Sequence, residues 1–174
     1  NKGPVIVLIG RRDTGKSFLV KDLLFHHVDV PIGTVISGTE AGNGFYSKHV
    51  PKLFIHNEYN TGIIENILKR QKQVIKQVNK QIETFKKSNI DPRTFVILDD
   101  CLYDAGWARD KMMRLLFMNG RHWQVMLIIT MQYPLGIPPT LRTNIDYVFI
   151  LREPYIANRK RIYENYAGMF PTFE

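Results

Sequence analysis

Apolar and β-branched residues recur along the chain in short runs: Val5 to Ile9, Thr34 to Ser37, Leu53 to His56, Thr94 to Leu98, Val125 to Thr130 and Tyr147 to Leu151. Each has strand length, and helix-like segments lie between them, an alternation that predicts a mainly parallel sheet with helices on its faces. The runs beginning at Val5, Thr94 and Val125 are nearly continuous in apolar residues, so these three are expected at the centre of the sheet, covered on both sides. A different period rules Ile63 to Lys87. There Ile63, Ile64, Ile67, Leu68, Val74, Ile75, Val78, Ile82 and Phe85 recur at helical spacing, predicting one long amphipathic helix. Its other face carries Lys69, Arg70, Lys72, Lys76, Lys80, Lys86 and Lys87, a set that suits either a solvated surface or a phosphate backbone. Asn89 to Arg93, with Pro92, breaks the helix before the next strand.

Punctuation between the first strand and the first helix is the most specific chemical signal. Gly10-Arg11-Arg12-Asp13-Thr14-Gly15-Lys16-Ser17 fits G-x-x-x-x-G-K-[ST], follows Val5 to Ile9 and precedes the helix-like run Phe18 to Phe25. A strand that ends in such a loop lets the backbone curl around phosphate oxygens while the next helix directs its free N–H groups and positive dipole end at them. On this reading Gly10 to Ser17 bind the phosphates of ATP. The two glycines permit the tight path, Lys16 neutralises the outer phosphates and the Ser17 hydroxyl ligates Mg²⁺. A chance glycine turn would require the strand, the helix and a second acidic motif to coincide with it.

That second motif is Phe95-Val96-Ile97-Leu98-Asp99-Asp100, a buried-type strand ending in adjacent carboxylates, the pattern of a Walker B strand. Two like charges side by side repel, and a cation or a functional role accounts for them better than a solvated turn. Asp99 is expected to hold Mg²⁺, directly or through water, and Asp100 to polarise the water that attacks the γ-phosphate. Met131-Gln132-Tyr133-Pro134 follows the Val125 strand and places an amide at the carboxyl end of a central strand, where open α/β sheets bind ligands. Gln132 is therefore either a sensor of the γ-phosphate and its water or an ordinary surface glutamine. A strand standing between the phosphate loop and the acidic strand favours hydrolases that add a catalytic acid over nucleotide kinases. Arg121, in Asn119-Gly120-Arg121-His122, and Arg142, in Leu141-Arg142-Thr143-Asn144, each precede a predicted strand, and either suits an arginine finger acting on a neighbouring subunit as well as an ordinary salt bridge. His26, His27, His49, His56 and His122 have no metal-ligand spacing with cysteine, so no zinc site is expected.

Composition narrows the setting. At 174 residues and 44% hydrophobic content the chain suits one domain, residues 1–174. No apolar run reaches the length of about eighteen residues that a membrane span needs, and no signal segment opens the chain, so a soluble intracellular protein is expected. The single cysteine, Cys101, has no partner for an internal disulfide. Asn1 stands almost directly before the first strand, as in a piece trimmed from a longer polypeptide whose flanks carry partner-binding parts. A net charge of +8 and a pI near 9.6 favour a polyanionic partner such as nucleic acid, although an ATP site recruits positive charge on its own.

Taken together, Gly10 to Ser17, Phe95 to Asp100, the Gln132 strand end and Leu141 to Phe149 resemble the FtsK/HerA superfamily of DNA-pumping ATPases. Within it the chain is most similar to the viral genome-packaging ATPases, poxvirus-like, of large eukaryotic DNA viruses and virophages. The resemblance implies a P-loop NTPase of the ASCE or RecA-like class, a three-layer α/β sandwich. It also implies a ring of six or five identical subunits that threads double-stranded DNA through a basic pore, with ATP and Mg²⁺ between neighbours and capsid or portal proteins as further partners. The setting it implies is the host-cell cytoplasm, in a viral factory, or the virion. Many superfamily members carry Glu where this chain has Asp100; the shorter side chain must sit closer to the water. Other readings remain: a cellular HerA-like or conjugative DNA pump, a small-molecule kinase using Asp99 and Asp100 for substrate binding, or a GTPase-like switch, which the lack of an N-K-x-D motif disfavours.

Overall fold

The computed structural model describes residues 3–133 and 135–173; Asn1 and Pro134, which figured in the sequence motifs, lie outside them. Among the described residues six strands form one sheet: β1 (Val5–Ile9), β2 (Ile32–Ser37), β3 (Ile55–His56), β4 (Thr94–Asp99), β5 (Val125–Met131) and β6 (Tyr147–Ile150). Their order is β3-β2-β4-β5-β1-β6, and every pairing is parallel. β5 thus stands between β1 and β4, the arrangement by which the expected catalytic acid is separated from the phosphate loop.

All residues of β1, β4 and β5 are buried, as the uninterrupted apolar runs require. Because successive strand side chains point to opposite faces, each strand serves two cores. Val7, Ile9, Val96, Leu98, Leu127 and Ile129 pack on one face, beneath α3 (Thr61–Phe85), α4 (Lys111–Asn119), α5 (Pro139–Arg142) and α6 (Ile156–Tyr166). Ile6, Leu8, Val35, Ile97, Met126 and Ile128 pack on the other with Val20 of α1 (Lys16–Phe25), Tyr46 and Val50. The result is the three-layer α/β sandwich. Gly33 of β2 is required by this packing: a Cβ there would stand only 1.9 Å from the Phe95 ring.

Strand ends shift from the sequence reading by one or two residues at β2, β4, β5 and β6, and the larger differences fall at the Leu53 run and the long helix. The Leu53 to His56 run is a strand only at Ile55–His56, because Lys52–Phe54 close a 3-10 turn after Pro51. The long helix begins earlier, at Thr61, where the Asn60 side chain accepts the Gly62 N–H at 2.7 Å. It ends at Phe85, two residues early, as Lys86 adopts a left-handed conformation and donates its N–H to Ile82. The apolar stripe of α3 also outruns the core, since Ile82 and Phe85 are exposed while Ile64, Ile67, Leu68 and Val78 are buried. Gln71, which the periodicity passed over, is buried on that stripe; its amide donates to Pro92 O at 2.7 Å and Trp123 O at 2.8 Å, tying α3 to the starts of β4 and β5.

Candidate nucleotide site

At the end of β1 the Gly10 N–H donates to Met131 O at 3.1 Å, so the chain leaves the sheet only after Gly10. A Cβ on Gly10 would lie 2.6 Å from Thr14 Oγ1 and 2.9 Å from Leu151 Cβ; only glycine fits where the loop doubles back. Asp13 and Gly15 take positive φ, 58° and 93°, and Thr14 Oγ1 donates to Arg11 O at 2.8 Å, which closes the turn. Gly15 then starts α1 without a side-chain cap, leaving first-turn N–H groups to an anion. Ser17 stands half-buried in that first turn.

Lys16 is the buried cation of the loop. Its Nζ donates to Gly10 O and Arg11 O, each at 2.8 Å. Burial lowers its pKa from the ordinary lysine value, and the charges of Asp100, Asp99 and Asp13 oppose that shift without cancelling it. The ammonium is thus costly to keep in place and gains from any anion brought to the loop.

The two acids come from the end of β4. The sheet register aligns Ser37, Asp99 and Thr130 across β2, β4 and β5. Asp99 is 5% exposed, and its Oδ1 accepts the Thr130 hydroxyl at 2.6 Å. The same Thr130 oxygen accepts the Asp100 N–H at 3.0 Å. Asp100 has φ 51°, a left-handed turn that swings its half-buried carboxylate off the strand line. There the Gln132 amide donates to Asp100 Oδ2. Lys16, Asp99, Asp100 and Gln132 therefore gather at the carboxyl edge of three adjacent central strands. Asp99 keeps one carboxylate oxygen that Thr130 does not engage, and with the Ser17 hydroxyl it offers hard oxygen donors of the kind Mg²⁺ prefers. Among the described residues no three His, Cys, Asp or Glu side chains cluster as a complete metal cage. Phosphate oxygens and water would have to complete the shell, as is usual for Mg²⁺ bound with a nucleotide.

Several neighbours had no role in the sequence reading. Thr130 bridges both acids, yet in sequence it is one more β-branched strand residue. The Tyr46 hydroxyl is buried near Asp99, and burial followed by the charge of that acid pushes its pKa well up. Glu40 is buried as well, accepting the N–H groups of Tyr46 and Ser47 at 2.8 Å. On the outer side of the loop a cleft of about 660 Å³ is lined by Arg11, Arg12, Asp13, Thr14, Gln132, Arg152 and Pro154. Arg152 could not be found by motif, since it joins the loop only because β6 pairs with β1.

The arginines considered as fingers stand apart from this edge. Arg121 lies before β5, at the amino edge, and meets Asp146 at 3.4 Å, with its side chain 42% exposed. Asp146 also accepts the Val5 N–H, at 2.9 Å. Arg142, in α5, donates to Asn165 Oδ1 and lies 5.6 Å from the centre of the Tyr166 ring. Its Nε is buried without a hydrogen-bond partner among the described residues.

Among the described residues no helix is long and apolar enough to cross a membrane. The chain is 43% identical over 171 residues to uncharacterized protein L437 of Acanthamoeba polyphaga mimivirus, covering 97% of this chain and 59% of that protein. It is 44% identical over 173 residues to uncharacterized protein 075L of Invertebrate iridescent virus 6, covering 99% and 63%. It thus spans about three fifths of the length of these relatives. The fold is similar to that of the genome packaging NTPase B204 of Sulfolobus turreted icosahedral virus 2, with a TM-score of 0.63 at 17% identity over 97% of this chain and 85% of that one. It is also similar to the pCW3 conjugation coupling protein TcpA, with a TM-score of 0.69 at 14% identity over 95% and 52%. The Poxvirus A32 protein family matches residues 2–155, the whole sheet and every residue of the carboxyl-edge cluster, and the chain belongs to that family.

Proposed function

We propose that this chain is the ATP-hydrolysing domain of a motor that packages double-stranded viral DNA into a capsid. The observation that carries the reading is the meeting, on one sheet edge, of a glycine-bounded phosphate loop with its buried Lys16 and two adjacent acids, one of them held by Gln132. Membership of a poxvirus protein family, and a fold shared with a structure described as a genome packaging NTPase, support the viral setting. The working place would be the host cytoplasm or the virion, and capsid or portal proteins are the natural partners.

In this reading the loop amides and Lys16 hold the β- and γ-phosphates, while Ser17 and Asp99 hold Mg²⁺, which when bound neutralises phosphate charge. Asp100 accepts a hydrogen from the attacking water and so turns its oxygen toward the γ-phosphorus. Gln132, bonded to Asp100, fixes that carboxylate and can report whether the γ-phosphate is present. Five or six copies in a ring would set each site against a neighbour's arginine. Of the two candidates, Arg121 suits that role better. It is half-exposed and held by one long ion pair, whereas Arg142 is committed to Asn165 and Tyr166 within its own chain. Exposed lysines along α3 suit contact with a duplex backbone, which would be sequence-independent.

Steady-state ATP hydrolysis, measured with and without long duplex DNA and with Lys16→Ala as the blank, tests this. Stimulation that the substitution abolishes is expected; turnover that does not respond to DNA at low salt would remove the motor. Mixing Arg121→Ala with Asp100→Asn subunits should restore part of the activity that each lacks alone. Equivalent rescue by Arg142→Ala, and none by Arg121→Ala, would reverse the choice.

A further inference from the structure

The segment that follows β6 is built against the phosphate loop. Leu151 donates its N–H to Ile9 O at 2.8 Å, and the Leu151 Cβ leaves no room for a side chain on Gly10. Arg152 and Pro154 then form one wall of the cleft whose other wall is Arg11 to Thr14. Glu153 braces what comes next. Its carboxylate accepts the Tyr155 N–H at 3.0 Å through one oxygen and the Asn158 amide at 3.3 Å through the other. The Tyr155 carbonyl in turn accepts the N–H groups of Asn158 and Arg159, at 3.1 and 3.0 Å, as α6 begins. The backbone of Tyr155 is therefore held from both sides, yet the residue is 58% exposed. An aromatic ring fixed at its root and left open to water is not required by the core, whose buried residues do not include it.

Over that ring lies Arg11, a residue of the phosphate loop itself, with its guanidinium carbon 5.0 Å from the ring centre. Arg11 thus covers a face of Tyr155, next to the cleft, that a flat, electron-poor group would take only in its place. A nucleotide anchored by its phosphates on Lys16 and the start of α1 has this wall beside it, since Arg11 and Thr14 belong to both the loop and the cleft. Three arginines, Arg11, Arg12 and Arg152, line the path between and suit an anionic chain.

We propose that Tyr155 is the platform on which the base of a purine nucleoside triphosphate stacks, Arg11 yielding the ring face and turning its guanidinium to the phosphates. The proposal rests on the nucleotide reading of the site and adds the class of base it accepts. Stacking reads the area of a base rather than its hydrogen-bonding edge, so adenine and guanine bind alike and cytosine and uracil bind more weakly.

The test is equilibrium binding of ATP, GTP, CTP and inorganic tripolyphosphate to the wild-type chain and to Tyr155→Ala, Tyr155→Phe and Lys16→Ala, each checked for a native circular-dichroism spectrum. Tyr155→Ala should weaken ATP and GTP by about tenfold, the scale of one aromatic–base stack, and leave tripolyphosphate unchanged. Tyr155→Phe should stay within about twofold of wild type for all four ligands, because the ring is kept. ATP affinity unaffected by Tyr155→Ala, an equal loss for tripolyphosphate, or CTP bound as tightly as ATP by the wild type would each overturn the platform while leaving the phosphate site intact. A wild type that binds neither ATP nor tripolyphosphate, with Lys16→Ala no different, would overturn the nucleotide reading and the platform with it.

Discussion

The two edges of the same sheet treat charge in opposite ways. At the amino edge, Arg93 pairs with Asp91 and Asp29 at 2.6 Å, and Arg121 meets Asp146 at 3.4 Å. These partners are partly exposed to solvent and of opposite sign, and pairs of this kind contribute little to stability, ~0–1 kcal/mol each. At the carboxyl edge, Lys16 and Asp99 are buried, Asp99 stands beside a second acid, and Lys16 is bonded to neutral carbonyls rather than to a carboxylate. A fold selected for stability alone would not gather groups so costly to desolvate. The difference teaches that the amino edge is assembled for folding and the carboxyl edge for a ligand that supplies the missing charges.

The comparison breaks most sharply at Lys16. Lys16→Ala should lower ATP turnover by about a hundredfold or more, with no loss of thermal stability, because it removes a cation that burial disfavours. A large fall in melting temperature would mean that the lysine is a structural strut. Asp100→Asn should give a comparable loss of kcat with nucleotide affinity retained; asparagine tolerates the positive φ as well as aspartate does, so calorimetry should show an unchanged fold. If affinity falls with kcat, Asp100 is a ligand-binding group rather than the acid that orients water.

Thr130→Val keeps the shape of β5 and removes the hydroxyl that bonds both acids. A destabilisation of ~1–3 kcal/mol is expected, read by urea unfolding, together with a reduced kcat, since Asp99 and the Asp100 turn lose their shared anchor. Arg121→Ala, at the other edge, should change folding stability by no more than ~1 kcal/mol. A larger change would place the amino edge in the same energetic class as the site and erase the contrast.

An effect confined to alkaline pH concerns Cys101, next to the acids. Burial, then the charge of Asp99, pushes its thiol from 9.0 up to about 12. The folded chain favours the neutral thiol, so its contribution to stability is full below pH 9.0 and is lost as the pH rises toward about 12. Cys101→Ala should flatten that alkaline decline in urea titrations while leaving ATP turnover at neutral pH unchanged.

Local signals were enough for much of this. The continuous apolar runs marked β1, β4 and β5 because a strand covered on both faces has no polar side to show, and glycine spacing with Lys16 and Ser17 marked the loop because few sequences satisfy those backbone demands. The Asp99–Asp100 pair stood out for a similar reason: adjacent acids at the end of an apolar strand are expensive without a purpose. Leu53 and Phe54 misled, since apolar character alone cannot tell a strand from a 3-10 turn set by Pro51. Gln71 was invisible because a buried amide inside an apolar stripe is explained only by the carbonyls of Pro92 and Trp123, which are distant in sequence.

What the sequence determined by itself was the set of strands and the chemistry of each short motif, because period, propensity and loop geometry act over a few neighbouring residues. Tertiary structure alone decided the order β3-β2-β4-β5-β1-β6 and what that order brings together. It set Thr130 beside both acids, Gln132 on Asp100, and Arg152 and Tyr155 along the phosphate loop. It also separated Arg121 from its own loop by the full length of a strand, which is why a role for that arginine calls for a second subunit. Such adjacencies come from strand pairing between segments tens of residues apart, and no local pattern encodes which strand will lie beside which.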